Sequence, residues 1–171
     1  LRGADTMTIK RLNLIPKVSE DVLSAVSKSD PIIVLSGHAG TGKTIILLQA
    51  ANYLMSRGKK CLFLTYNIAL LSDLKHTIQY VSEMNAPEMK SMHQFFIAYL
   101  AKNGLWGSSK DINNDFLDAV SKLNSAFISK GKITTKFDYV LVDEAQDWTK
   151  PLIDALKGIC QKSNSQLVIA D

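Results

Sequence analysis

Pro31-Ile-Ile-Val-Leu-Ser-Gly-His-Ala-Gly-Thr-Gly-Lys-Thr44 constrains the fold more than any other stretch of this chain. Four apolar, mostly β-branched residues, Ile32 to Leu35, run into GHAGTGKT, and IILLQAANYL follows with helical spacing. Strand, glycine-rich loop and helix, in that order, are the setting in which G-x-x-x-x-G-K-[ST] binds phosphate. Gly37, Gly40 and Gly42 can adopt backbone angles closed to other residues and leave room for main chain to approach a phosphate. The loop (Gly37, His38, Ala39, Gly40, Thr41, Gly42) and the start of the helix from about Thr44 form an anion cradle of N–H groups. The pattern assigns Lys43 to the β- and γ-phosphates of a nucleotide and the Thr44 hydroxyl to Mg²⁺. A glycine-rich turn matching by chance is the bland alternative, and the flanking strand and helix weigh against it.

The second strong feature is FDYVLVDEAQD, an apolar strand over Phe137 to Val142 that ends in adjacent acids. In a parallel sheet both this strand and the one entering the loop deliver their carboxyl ends to one edge. Asp143 is thereby expected to orient water on the Mg²⁺ held by Thr44, and Glu144 to position and polarise an attacking water. An acidic strand end that merely faces solvent is the competing reading, and the phosphate loop upstream makes it the weaker one.

Strands alternating with helices run through the chain. Val18, Val22, Leu23 and Val26 recur at helical spacing in a lead-in segment, residues 1–30, closed by Ser29-Asp30-Pro31. Ile45 to Leu54 is an amphipathic helix closed by Arg57-Gly58, CLFLT (61–65) a buried strand, and Asn67 opens a helix through Val81. A short extended piece near Met89 to Met92 leads into the helix HQFFIAYLA. Asn103 to Ser109 reads as loop, with Trp106 placed to cover a neighbouring element. A helix over Ile112 to Ser129 follows, carrying Phe116, Leu117, Val120, Leu123 and Phe127, and Gly131 marks its end. Pro151 to Cys160 is helical and QLVIA (166–170) a last strand. Several strands apolar throughout imply a parallel α/β sheet covered by helices on both faces. Residues 31–171 then form one nucleotide-binding domain, with a short helical insertion at about 103–132 before the acid-ending strand.

Composition sets mild limits. A hydrophobic content of 46% and a charged content of 21% suit a globular domain of this length. The formal charge of +4 is compatible with a polyanionic partner, but the lysines are scattered. Cys61 and Cys160 are the only cysteines, and two buried, reduced thiols are expected. No apolar run approaches a membrane span and no charged-then-apolar leader opens the chain, so a cytoplasmic location without membrane contact is the expectation. The start at Leu1 and the stop at Asp171 read as cuts in a longer protein.

GHAGTGKT together with DEAQD resembles the N-terminal, RecA-like motor domain of superfamily 1 helicases of the UvrD/Rep-like group. LTYNIALLSDL is similar to that group's motif Ia, SMHQFF to motif Ib, and LVIAD to the opening of motif III. The resemblance spans residues 31–171. It implies a helicase- or translocase-type ATPase using ATP and Mg²⁺, with single-stranded DNA as partner and RNA not excluded. It also implies a second motor domain elsewhere in the same longer chain. Gly40, Gly42, Lys43 and Thr44 correspond to nucleotide contacts, Asp143 to the metal acid and Glu144 to the water-activating acid. Gln146 corresponds to a coupling residue, and Tyr66, Asn67 and His93 to single-strand contacts. A stacking Tyr and a phosphate-bonding Asn are tolerant of sequence, whereas core packing is the competing role for Tyr66 and Phe95 and helix capping or packing for His93. The group's adenine-reading Gln is not evident upstream of the loop, where Glu20 and Asp21 stand, and no basic residue follows Asn67. The interval from His93 to Asp143 is too short for the large subdomain of longer relatives.

Two readings of other classes stand beside this one. A P-loop regulatory or nucleotide-switch module would use the same loop without motor activity. Thr135-Lys-Phe-Asp138 superficially fits the guanine signature [NT]KxD, but it precedes the acid-ending strand, and DEAQ lacks the glycine of a GTP switch. A small-molecule kinase would need lid arginines, and Arg2, Arg11 and Arg57 are the only arginines.

Overall fold

The computed structural model describes residues 20–27, 31–38, 40–79, 85–103, 120 and 135–171. Its elements, in chain order, are α1 (Glu20–Ser27), β1 (Ile32–Leu35), α2 (Lys43–Met55), β2 (Cys61–Thr65), α3 (Ile68–Gln79), β3 (Glu88–Ser91), α4 (Met92–Lys102), β4 (Tyr139–Asp143), a single 3₁₀ turn (Ala145–Asp147), α5 (Lys150–Ser163) and β5 (Gln166–Ala170). The five strands form one sheet in the order β1-β5-β4-β2-β3, every pair parallel. This is the α/β architecture of a RecA-like P-loop fold.

Strands apolar at every position follow from burial on both faces. Alternate side chains separate cleanly. Leu62, Leu64, Val140, Val142, Leu167 and Ile169 meet α4 and α5 in one core cluster. Ile33, Cys61, Phe63, Leu141, Val168 and Ala170 meet α1, α2 and α3 in another. Val120 is buried in the first cluster, so the stretch between α4 and β4 reaches that core. The rest of the expected 112–129 helix, the loop bearing Trp106 and the end at Gly131 lie outside the described residues.

Three local features differ from the periodicity. β4 starts at Tyr139, two residues later than expected, because Asp138 turns to the main chain of Lys60: its carboxylate accepts the Lys60 N–H at 2.7 Å, and its own N–H donates to the Lys60 carbonyl at 2.8 Å. The extended piece near Met89 is a full strand of the sheet, β3, paired with β2 at an edge. Met89 and Ser91 turn inward, while Glu88 pairs with Lys90 and Lys136 at 2.8 and 2.9 Å. Ser91 also begins α4 through a reciprocal capping box with Gln94. Asn67 lies just outside α3, and its side-chain oxygen accepts the Leu70 N–H at 3.0 Å as an N-cap.

Both cysteines are free and buried. Burial pushes the Cys61 thiol up to about 12, with the Asp138 charge adding to the rise, and burial alone does the same at Cys160. Both are therefore neutral near pH 8, and a neutral thiol is a poor nucleophile. Native protein at pH 8 is expected to resist alkylation by iodoacetamide at both positions, and denatured protein to react at both. Mass spectrometry of the two samples checks this; rapid native labelling at either cysteine would contradict the buried placement.

Candidate nucleotide site

A parallel sheet sends every strand's carboxyl end to the same rim, and here that rim collects the phosphate loop, the paired acids and Tyr66. β5 lies between β1 and β4 and holds them at fixed spacing. The loop after β1 bends back through Gly40 (φ 79°) and Gly42 (φ 84°), angles that disfavour any side chain. Gly37 is tight for another reason: a Cβ there would stand 2.9 Å from Thr41 Oγ1, and that hydroxyl would have to shift. The loop closes on the His38 carbonyl, which accepts the Thr41 hydroxyl at 2.8 Å and the Thr41 N–H at 3.3 Å. Lys43 Nζ curls over it, donating to the carbonyls of Gly37 (2.5 Å) and His38 (3.3 Å). Ala39 lies outside the described residues.

Thr44, in the first turn of α2, meets Asp143 at the end of β4. Its hydroxyl donates to Asp143 Oδ2 at 2.7 Å, joining residues 99 positions apart. Asp143 is fully buried and its Oδ1 has no hydrogen-bond partner among the described residues. Desolvation raises its carboxyl above the ordinary range, the Thr44 hydroxyl opposes the rise and the neighbouring Glu144 charge adds to it. An orphaned carboxylate oxygen beside a hydroxyl is a set of hard oxygen donors of the kind Mg²⁺ takes, with phosphates and water completing its shell. Among the described residues no cluster of three or more His, Cys, Asp or Glu is placed to hold a metal alone. The residues present thus fit an ion that arrives with a nucleotide.

Glu144 follows at φ 52°, a left-handed conformation that few non-glycine residues adopt. It swings the chain from β4 into the 3₁₀ turn and leaves the carboxylate in a cavity of about 430 Å³. Gly37, Gly40, Thr41, Gly42, Lys43, Thr44, Ile45, Gln146 and Asp171 line the same cavity. Gln146 Nε2 donates to Glu144 Oε2. The sequence reading gave no nucleotide-site role to Asp171, whose carboxylate accepts the Ser36 hydroxyl at 3.2 Å. The signal was available: like Asp143, it is the acid next to the end of an apolar strand.

The residues expected to touch single strands are on this rim as well. Thr65 and Asp143 are register partners, so Tyr66 lies one residue beyond the level of the buried acid. Tyr66 is 44% exposed, which removes it from the core, and its ring stands 5.7 Å from that of His93 at 55°. Ile68 beside it is 65% exposed. Phe95 by contrast is core, packed edge-on to Phe96 and stacked with Tyr99. The side-chain oxygen of Asn67 is committed to its cap, leaving its amide nitrogen to donate. Thr135–Asp138 lies before β4, at the opposite rim, away from the loop. Arg57, the only arginine among the described residues, is also there, over the ring of Tyr53 at 3.6 Å.

The raised Asp143 carboxyl fixes a sign. A buried carboxylate that titrates above its unfolded value costs stability once ionised, so stability declines as pH rises through that window. Asp143→Asn is therefore expected to raise the ligand-free Tm by a few degrees at pH 7, and the gain is expected to vanish in acid below the ordinary carboxylate range. Thermal unfolding across pH decides it, and a lower Tm at pH 7 would refute the burial argument.

A family model described as "Type III restriction enzyme, res subunit" matches residues 15–170. No curated protein matches the chain. Among the described residues no helix is long and apolar enough to cross a membrane.

Proposed function

This chain belongs to the type III restriction enzyme res-subunit family, whose domain is a helicase-like P-loop ATPase, and on that premise we propose that residues 31–171 form the first motor domain of a translocase or helicase acting on single-stranded nucleic acid. The observation that carries the proposal is the Thr44–Asp143 hydrogen bond, which unites the phosphate loop and the acid-ending strand around one seat for a divalent ion.

In this reading the loop amides of residues 37–42 and Lys43 hold the triphosphate of ATP. To do so Lys43 leaves the Gly37 and His38 carbonyls it now occupies. Thr44 and Asp143 would hold Mg²⁺, which when bound neutralises charge on the phosphates. Glu144 accepts a hydrogen bond from the attacking water and orients it, and the backbone turn at this residue aims its carboxylate into the cavity. Gln146, bonded to Glu144, is placed to report the state of the nucleotide to the nucleic-acid side.

Tyr66, exposed and backed by the half-buried His93, supplies an aromatic face for a base, with Asn67 donating to a phosphate. Single-stranded DNA is the proposed track. Within helicase-like ATPases, the finer assignment to the UvrD/Rep-like superfamily 1 group is supported by DEAQD and by the motif Ia and Ib sequences around Tyr66 and His93. A nucleotide switch would share the phosphate seat but has no use for an exposed tyrosine backed by a histidine on the same rim. Among the described residues the one arginine, Arg57, lies at the opposite rim; in the proposed reading a second motor domain supplies arginine to the phosphates.

Arginine groups of this kind contribute about 10³–10⁵ in rate, so the chain alone is expected to bind Mg-ATP and turn it over slowly. In the longer protein Lys43→Ala should abolish turnover, while Glu144→Gln should retain nucleotide binding and lose hydrolysis. Turnover with and without single-stranded DNA, ATP against GTP, beside binding of a fluorescent ATP analogue, tests the assignment; equal loss of binding in both variants would defeat it. Tyr66→Ala is expected to weaken single-strand binding by about 1–3 kcal/mol with the fold intact. An unchanged affinity in a fluorescence-anisotropy titration would take Tyr66 out of the interface.

A further inference from the structure

Asp171 occupies the one position that faces both halves of the nucleotide site. The register pairs Leu35 with Ala170, so one step further along Asp171 stands level with Ser36, and it lines the same cavity as Glu144. Its N–H donates to the Leu35 carbonyl at 3.3 Å and its carboxylate is oriented by the Ser36 hydroxyl. No ion pair among the described residues neutralises it. The cavity therefore carries the carboxylates of Glu144 and Asp171 against the single ammonium of Lys43, with Asp143 buried next to Thr44. That ammonium is itself turned onto loop carbonyls.

We propose that Asp171 is a specificity-determining residue that makes the site reject metal-free nucleotide in favour of the metal complex. The inference rests on the nucleotide reading given above. A bare triphosphate brings more negative charge to the loop than its divalent complex does. A fixed carboxylate on the cavity wall repels the bare form more, and it does so without touching the phosphate. At separations of a few ångströms to a cavity's width, one unit charge in a partly solvated site changes affinity by about threefold to tenfold. Glu144 contributes a field of the same sign but is engaged with Gln146 and with the proposed water. Among the described residues Asp171 is engaged only by the Ser36 hydroxyl and its own N–H bond to Leu35.

The test is the ratio of dissociation constants for a fluorescent ATP analogue in EDTA and in excess Mg²⁺, measured on the 171-residue chain at low and at moderate salt. Asp171→Asn should tighten metal-free binding by about threefold to tenfold, change the Mg²⁺ value by less than about twofold, and so shrink the ratio. The gap between variant and wild type should narrow as salt rises, because screening shortens the reach of the charge. Asp171→Glu, which keeps the charge, and Ser36→Ala, which keeps it without the hydroxyl, should hold the wild-type ratio. An unaltered ratio in Asp171→Asn would overturn the inference and leave the nucleotide reading standing. Equal weakening of both forms in Asp171→Asn would assign the residue to holding the loop and would likewise overturn it. Failure of the wild-type chain to bind the analogue in either solution would remove the nucleotide reading and this inference together.

Discussion

A carboxylate stripped of water governs the geometry of this domain. Asp143 is fully buried, receives one hydroxyl hydrogen bond from Thr44 and keeps one oxygen unpartnered among the described residues. Left like that, an ionised carboxylate is an expensive feature of a protein interior. It is tolerated because the Thr44 hydroxyl bonds one oxygen and because burial raises the carboxyl's hold on a proton. Stability is given up at one side chain, and in the proposed reading the compensation is a seat for a cation that comes with its own ligands.

The surrounding rim is organised to deliver charge to that seat. Positive φ at Gly40 and Gly42 turns the loop's main chain inward, and a Cβ at Gly37 would have to shift the Thr41 hydroxyl. Lys43 is held by two loop carbonyls, so the loop is internally satisfied before any phosphate arrives. At Glu144 a non-glycine residue sits in the left-handed region, a conformation of order 1–3 kcal/mol that persists where the surroundings over-determine it. Here the end of β4 and the 3₁₀ turn over-determine it, and the outcome is a carboxylate aimed at the cavity. The phosphate loop and the two acids thus follow from two strand ends held one strand apart by β5.

The opposite rim accounts for what the site lacks. Thr135–Asp138 resembles a base-reading signature in sequence, yet the strand direction carries it to the amino end of β4, where Asp138 bonds the Lys60 main chain. Arg57 lies at the same end, stacked on Tyr53. A motif's chemistry depends on which rim it reaches, and a parallel sheet offers only two.

Much of this was legible in the sequence because it depends on local order. Apolar runs such as CLFLT and YVLVD specify buried strands, and GHAGTGKT between a strand and a helix specifies the loop whatever surrounds it. The parallel sheet follows from the alternation of strands and helices. Periodicity could not show that the Glu88–Ser91 piece is an edge strand, because its alternation of Met and Ser with Glu and Lys gains meaning only from pairing with β2. Tyr66 and Phe95 read alike as aromatic residues in motif-like stretches. One is exposed beside His93 and the other is core, a difference set by which element packs over each. Asp171 is legible as an acid ending an apolar run, but its place in the cavity comes from strand order, which puts β5 between β1 and β4. The sequence alone determined which groups exist and the local backbone that presents them, since hydrophobic period and glycine freedom act over a few residues. Tertiary structure alone decided which of those groups share a cavity, since that depends on hydrogen-bonded register between strands far apart in the chain.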